Sequence, residues 1–363
     1  MRRSGVARAA GPAPDQVPGG NGGPLMNDPI PAWPGELVTL PSGQIYVRSA
    51  PATAGTSEPA VFVHGLGGSA TNWTDLMDLL RRPAAGEPRP VGAALAGEAI
   101  DLPGFGFSPV PADGDYSIDA KARAVIEFIE ERRRWPVHLI GNSLGGSVCT
   151  RVASRRPDLL RTLTLISPAL PDLRPRRIPL RVTVLCAPGV GEWAMRRLDR
   201  HTAESRTLGT VQEVYRDPRL MHPQRYAEEA AEVRRRDELG YVHEVIIRSA
   251  RGLVQEYVRQ GPRALWRDAA RVTAPTLVLY GSHDRLVRPA MAARAARIFP
   301  AARVLVLPRM GHVAMMERPD LVAREIRELL VSVAGRPGRT SNIDPERRAP
   351  QHAATQADPG GAG

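Results

Sequence analysis

The chain has 363 residues, 42% hydrophobic and 24% charged, which is enough for one large domain or two modest ones with a substantial core. Nothing in it approaches the roughly 18 consecutive apolar residues of a membrane-spanning helix, and two cysteines, Cys149 and Cys186, make neither a disulfide framework nor a metal set. The net charge is +11, yet Lys121 is the only lysine, and the arginines are scattered among acids with no basic stripe interleaved with aromatics, so nucleic acid is not an expected partner.

Residues 1–34 are rich in Gly and Pro and read as a disordered tail, as do residues 335–363. The start, Met1-Arg2-Arg3-Ser4, is basic, but Gly, Pro and Ala follow where a secretory signal needs an apolar core, so a cytoplasmic protein is expected. Between the tails, short apolar runs alternate with helical patterns, the signature of an α/β fold with a mostly parallel sheet covered on both faces. Residues 36–40 and 44–48 flank Pro41-Ser42-Gly43 and predict an opening hairpin. Residues 60–64 predict a strand ending in His64-Gly65-Leu66-Gly67-Gly68, with Asn72-Trp73 opening the helix beyond. Residues 98–101 predict another strand, which ends in a turn from Asp101 through Gly104 to Ser108. A helix over 118–134 places Ala122, Val125, Ile126 and Ile129 on one face.

The strand over 137–140 runs straight into Gly141-Asn142-Ser143-Leu144-Gly145-Gly146, and a helical segment follows at once. Such a tight corner brings backbone into contact on either side of Ser143, so Gly141, Gly145 and Gly146 must lack side chains. Ser143 then stands on a strand-to-helix elbow with its hydroxyl exposed above the sheet and the helix's positive end aimed at it. Cys149, on that helix, reads as core. Residues 160–166 predict the next strand, and strand patterning then stops until 275–280, which makes 170–271 a helical insertion. The strand over 275–280 ends in Gly281-Ser282-His283-Asp284, the strand over 302–307 ends in Met310-Gly311-His312, and an amphipathic helix over 319–333 closes the chain.

Open α/β sheets place their chemistry just past strand ends, where Ser143, Asp284 and His312 all fall. A serine hydroxyl needs an imidazole to take its proton, and the imidazole needs a carboxylate to fix its tautomer, so these three are the candidate nucleophile, base and orienting acid. Asp172, shortly after the preceding strand, is the rival acid, and His283 reads as a neighbour. An oxyanion requires two preorganised N–H donors: the candidates are Leu144, directly after the serine, and Leu66, whose glycine neighbours let its loop turn inward. His64 reads as a brace for that loop, and Asp101 with the turn after it as structural.

The order of Leu66 loop, Ser143, Asp284 and His312 resembles the α/β-hydrolase superfamily. More narrowly, H-G-L-G-G, D-L-P-G-F-G-F-S, G-N-S-L-G-G, G-S-H-D and G-H-V-A-M-M-E-R-P-D are similar to its capped branch of small-molecule esterases and carbon–carbon bond hydrolases, over residues 36–334. The resemblance implies an α/β-hydrolase fold: a mostly parallel eight-stranded sheet flanked by helices, with core residues 35–169 and 272–334 and a helical cap over 170–271. Serine at 143 argues against epoxide hydrolases and haloalkane dehalogenases, which attack through a carboxylate, and Val313 stands where meta-cleavage hydrolases usually carry tryptophan. The implied activity is that of a serine hydrolase on a carboxylic ester of a small to medium, mainly apolar substrate. Its supporting residues are His64, Gly65, Gly67, Gly141 and Gly145, and it calls for no metal or organic cofactor. Carbon–carbon hydrolysis of a vinylogous diketone and a non-catalytic binding role are the alternatives. Val182, Leu185, Val245 and Leu253 are candidate pocket walls or cap core. Residues 178–187 of the cap are a candidate for peripheral membrane contact, and the oligomeric state is left open.

Overall fold

The computed structural model describes residues 30, 32–51, 53, 57–82, 94–172 and 186–334. Residues 1–29, 31 and 335–363 of the expected tails, Val182, Leu185 and most of 178–187 lie outside the described residues; within 32–34 the tail reading is corrected, because Trp33 is buried and its carbonyl accepts from Arg48 Nη1. Residues 32–334 carry an eight-stranded sheet: β1 (Gly35–Leu40), β2 (Gly43–Ser49), β3 (Ser57–Val63), β4 (Ala94–Ile100), β5 (Val137–Asn142), β6 (Leu160–Ile166), β7 (Thr276–Gly281) and β8 (Ala302–Leu307). The spatial order is β1-β2-β4-β3-β5-β6-β7-β8, and β2 alone runs against the other strands. All eight predicted strands are present. Around them lie α1 (Thr74–Arg81), α2 (Ile118–Arg132), α3 (Leu144–Arg155), α9 (Met291–Ile298), α10 (Ala314–Glu317) and α11 (Pro319–Ala334). Between β6 and β7 come α4 (Val190–Leu198), α5 (Ala203–Val214), α6 (Pro223–Asp237), α7 (Val242–Val258) and α8 (Leu265–Arg271), and no strand among the described residues.

The strand order reverses at β3. The chain leaves β3 for β4 on one side and returns to β5 on the other, so right-handed crossovers put the following helices on opposite faces. Accordingly α1 packs against α11, while α2 packs against α3 and α3 against α8. Beyond the ends of β3 and β5 the connecting segments part and leave a crevice, the place where open α/β sheets bind ligands. β5 and β7 are buried at every position, as strands covered on both faces must be.

Two departures from the expected elements have identifiable causes. β4 begins four residues earlier than 98, through Ala94-Leu95-Ala96-Gly97, a stretch with little intrinsic strand preference. Packing overrides propensity there: a Cβ at Gly97 would lie 3.0 Å from Phe62 and 3.1 Å from Met77, which occupy the space a side chain would need. In α2, capped by the Ser117 hydroxyl at the Ala120 N–H (3.1 Å), the buried face takes in Ala124 and Phe128, and Ile126 is only half-buried. The same face buries Lys121, whose Nζ donates to the Tyr116 carbonyl at 2.5 Å.

One buried cation ties the layers together. Arg151, on α3, donates through Nη2 to Glu256 of α7 at 2.8 Å and to the Arg263 carbonyl at 2.9 Å, and pairs also with Asp268 of α8 and Asp119 of α2. Its donors are matched by acceptors, so burial is tolerable only while those partners stay. Arg151→Met leaves Asp268 buried without its paired cation and Glu256 to Arg259, 3.2 Å away, and is expected to lower unfolding free energy by about 3–5 kcal/mol, read by urea titration at neutral pH.

Candidate active site

Ser143 caps the N-terminus of α3 with φ 53° and ψ −117°, a conformation an L-residue adopts only under constraint. The constraint is contact on all sides. A Cβ at Gly141 would lie 2.6 Å from both Cys149 Sγ and the Gly145 carbonyl, one at Gly145 would overlap the carbonyls of Val63 and His64, and one at Gly146 would meet Pro168 at 2.8 Å. The three glycines therefore let α3 start against the ends of both β3 and β5. Cys149 is buried core, and burial pushes its thiol well up, away from the thiolate.

The loop after β3 lies against the elbow: a Cβ at Gly65 would be 3.2 Å from Ser143 Cβ and 3.1 Å from Asn142 Oδ1. His64 holds this loop. It is fully buried, Nδ1 donates to the Gly65 carbonyl at 2.7 Å, and Nε2 accepts the Leu102 N–H at 3.0 Å, which fixes a neutral tautomer. Burial pushes the imidazole down to about 4, against the Gly65 bond. Among the described residues neither the Leu66 N–H nor the Leu144 N–H is engaged in a hydrogen bond. Asp101 is structural, as read: its carboxylate accepts the N–H groups of Ala70 (2.6 Å) and Phe107 (2.9 Å), and burial pushes it up to about 6.

At the far side of the crevice, His312 Nδ1 meets Asp284 Oδ2 at 2.9 Å, with the carboxylate fully enclosed. The other oxygen, Oδ1, accepts the Leu286 and Val287 N–H groups at 2.8 Å each. Burial pushes the Asp284 carboxyl up, but His312 and the backbone donors outweigh it and hold the group below its ordinary value. Asp172 is engaged elsewhere, in a two-pronged pair with Arg288 (Nη2–Oδ1 2.6 Å), and the His283 ring meets Ser282 Oγ at 2.8 Å.

Two side chains that sequence reasoning passed over join these halves. Asn142 Nδ2 donates to the Ile166 carbonyl at 3.0 Å and to the His312 carbonyl at 3.2 Å, so the residue before the serine holds the histidine's own backbone. Glu317 takes the Gly311 N–H at 2.7 Å and the Arg216 N–H at 3.1 Å, and His312 N–H donates to the Val214 carbonyl at 2.7 Å. The only hint was position: an amide inside the elbow, and an acid five residues after the histidine. Among the described residues no hydrogen bond joins the Ser143 hydroxyl to the His312 imidazole.

The model of the Alpha/beta hydrolase family matches residues 60–325. The chain belongs to this family. This α/β hydrolase is 25% identical to Lipase 3 of Moraxella sp. (strain TA144) over 272 residues, 72% of this chain and 74% of that protein. It is 24% identical to Lipase 1 of Psychrobacter immobilis over 293 residues, 79% of this chain and 80% of that protein. Among solved structures it shares its fold with a thermophilic esterase from Thermogutta terrifontis (TM-score 0.60, 24% identity, 83% of this chain and 99% of that one). It shares the fold also with the epoxide hydrolase CorEH (TM-score 0.65, 18% identity, 83% and 99%). Among the described residues of this α/β hydrolase no His, Cys, Asp or Glu cluster could hold a metal ion, and no helix is long and apolar enough to cross a membrane.

The depressed His64 value has a sign. Between about pH 4 and the imidazole's ordinary range the unfolded chain binds a proton that the folded one refuses, so this residue's share of stability is complete above that range and falls as pH drops toward 4. In His64→Gln the loss of unfolding free energy between pH 7 and 4 is expected to be smaller than in wild type by about 3 kcal/mol, read from urea titrations at each pH.

Proposed function

We propose that this α/β hydrolase is a serine hydrolase that cleaves a carboxylic ester of a small to medium, mainly apolar substrate through an acyl-enzyme on Ser143. The observation that carries the reading is the Asp284–His312 pair, whose histidine backbone is held by Asn142, the residue next to the strained serine. An imidazole oriented through Nδ1 by an enclosed carboxylate presents Nε2 as the base, and Asp284 stabilises the imidazolium that forms. Ser143 Oγ attacks the ester carbonyl as His312 takes its proton. The oxyanion is received by the Leu66 and Leu144 N–H groups, and His312 then protonates the departing alcohol. Water, activated by the same imidazole, attacks the acyl-enzyme and releases the acid, returning the proton to Ser143. Likeness to two named lipases supports an ester substrate.

Helices α4 to α7 act in this reading as a cap. Their contacts support it: Val245 of α7 lies where a Cβ at Gly104 would meet it at 2.9 Å, the end of α5 holds His312, and α6 reaches the loop after β3. Val245 and Leu253 are buried among core side chains, so they serve as cap core rather than as free pocket walls. α8, packed on α3, belongs with the sheet layers.

A fluorophosphonate probe should label wild type at Ser143. Ser143→Ala and His312→Ala should each lower kcat on 4-nitrophenyl butanoate by a factor on the order of 10⁶, and Asp284→Asn by a smaller factor, on the order of 10⁴. Asp172→Asn should leave kcat unchanged. A folded protein left unlabelled, or a silent Asp284→Asn, overturns the assignment.

A further inference from the structure

The loop from Gly65 to Gly68 faces a problem of its own. Three of its four residues are glycines, and Gly67 sits at φ 76°, so the peptide planes that aim the Leu66 N–H have little intrinsic rigidity. Rigidity is supplied from the helical insertion. Arg236 of α6, mostly buried, donates from Nη1 to the Gly67 carbonyl at 2.8 Å, with its Nε 3.7 Å from Glu232. Two turns earlier on the same helix face, Glu229 accepts from Asn72 Nδ2 at 2.7 Å, and Asn72 Oδ1 accepts the Ser69 N–H at 3.0 Å.

We propose that Arg236 is a positioning residue for the oxyanion donor, acting through two trans peptides, Gly67–Gly68 and Gly65–Leu66, that are hydrogen-bonded to each other; the inference rests on the acyl-transfer reading above. The guanidinium fixes the Gly67 carbonyl. In a trans peptide the N–H points opposite the carbonyl, so the Gly68 N–H is thereby aimed, and it donates to the Gly65 carbonyl at 3.2 Å. That carbonyl, held also by His64 Nδ1, belongs to the peptide whose other end is the Leu66 N–H. The Leu66 N–H is therefore oriented by a chain that begins on the helical insertion: guanidinium, Gly67 carbonyl, Gly68 N–H, Gly65 carbonyl, Leu66 N–H. A cation at the head of such a chain also polarises each amide in turn, which strengthens the last donor. Leu144, the partner donor, needs no such help because α3 fixes it.

The test compares 4-nitrophenyl butanoate with its thionoester, whose sulfur is a poor hydrogen-bond acceptor and gains little from the hole. In Arg236→Met, kcat on the ester should fall roughly tenfold, a fraction of the 10²–10³ lost on removing a whole donor, with KM nearly unchanged. The ester-to-thionoester ratio of kcat should fall with it, and Arg236→Lys should recover most of both. Arg236→Gln carries the same expectation if the methionine variant does not fold. Arg234→Met, on the same helix as Arg236, breaks an exposed pair with Glu204 of α5 and is the control. An unchanged kcat, or equal losses on ester and thionoester, overturns the relay while fluorophosphonate labelling of Ser143 upholds the hydrolase. Wild type left unlabelled at Ser143 overturns both.

Discussion

The site depends on one steric condition: α3 must begin within contact distance of two strand ends at once. Val63 and His64 carbonyls fill the space beside Gly145, and Cys149 fills the space beside Gly141. That approach forces Ser143 into its strained conformation, sets Gly65 beside it and leaves the first N–H of α3 open. β3 and β5 are neighbours because the strand order reverses between them, so the same topology that opens the crevice brings the two loops together. The backbone strain, of order 1–3 kcal/mol, is carried by the packed α3 and the sheet beneath it.

The fold was legible because the strands follow a simple rule. Runs such as Leu160–Ile166 and Thr276–Gly281 are rich in Leu, Val and Ile and are buried at every position but Arg161, as doubly covered strands are, and each is followed by serine where the chain turns. β4 was read short because its first half, Ala94-Leu95-Ala96-Gly97, carries little strand preference, and the bulk of Phe62 and Met77 explains why nothing larger than glycine stands at 97. Of the candidate site, what lies in short motifs was legible: the elbow, the His64 loop, Asp284 and His312. What depends on partners far away in the chain was not. Asn142 meets a carbonyl 170 residues on, Glu317 reaches back 101 residues to Arg216, and Arg236 reaches back 169 to Gly67. No local pattern encodes such pairings, since they exist only once the sheet has brought the strand ends to one edge.

The helical insertion makes its contacts with the sheet layers through arginine as much as through apolar packing. Arg235 donates to the Gly106 carbonyl and lies 4.0 Å over the Phe107 ring, Arg225 pairs with Asp75 at 2.8 Å, and Glu256 meets Arg151. Several of these cations end on backbone carbonyls or in two-pronged carboxylate pairs, geometries that the planar guanidinium fork matches and an ammonium does not. The use of arginine rather than lysine thus suits this internal fastening.

That choice of cation has a chemical corollary. A guanidinium does not lose its proton in any ordinary buffer, so these fastenings persist in alkali that would strip an amine of its charge. Lys121 is the exception, and burial pushes its ammonium down to about 7 beneath Tyr116. Acylating or cross-linking reagents that seek primary amines therefore find one side-chain target in the whole polypeptide, and it is shielded until α2 comes away from the sheet.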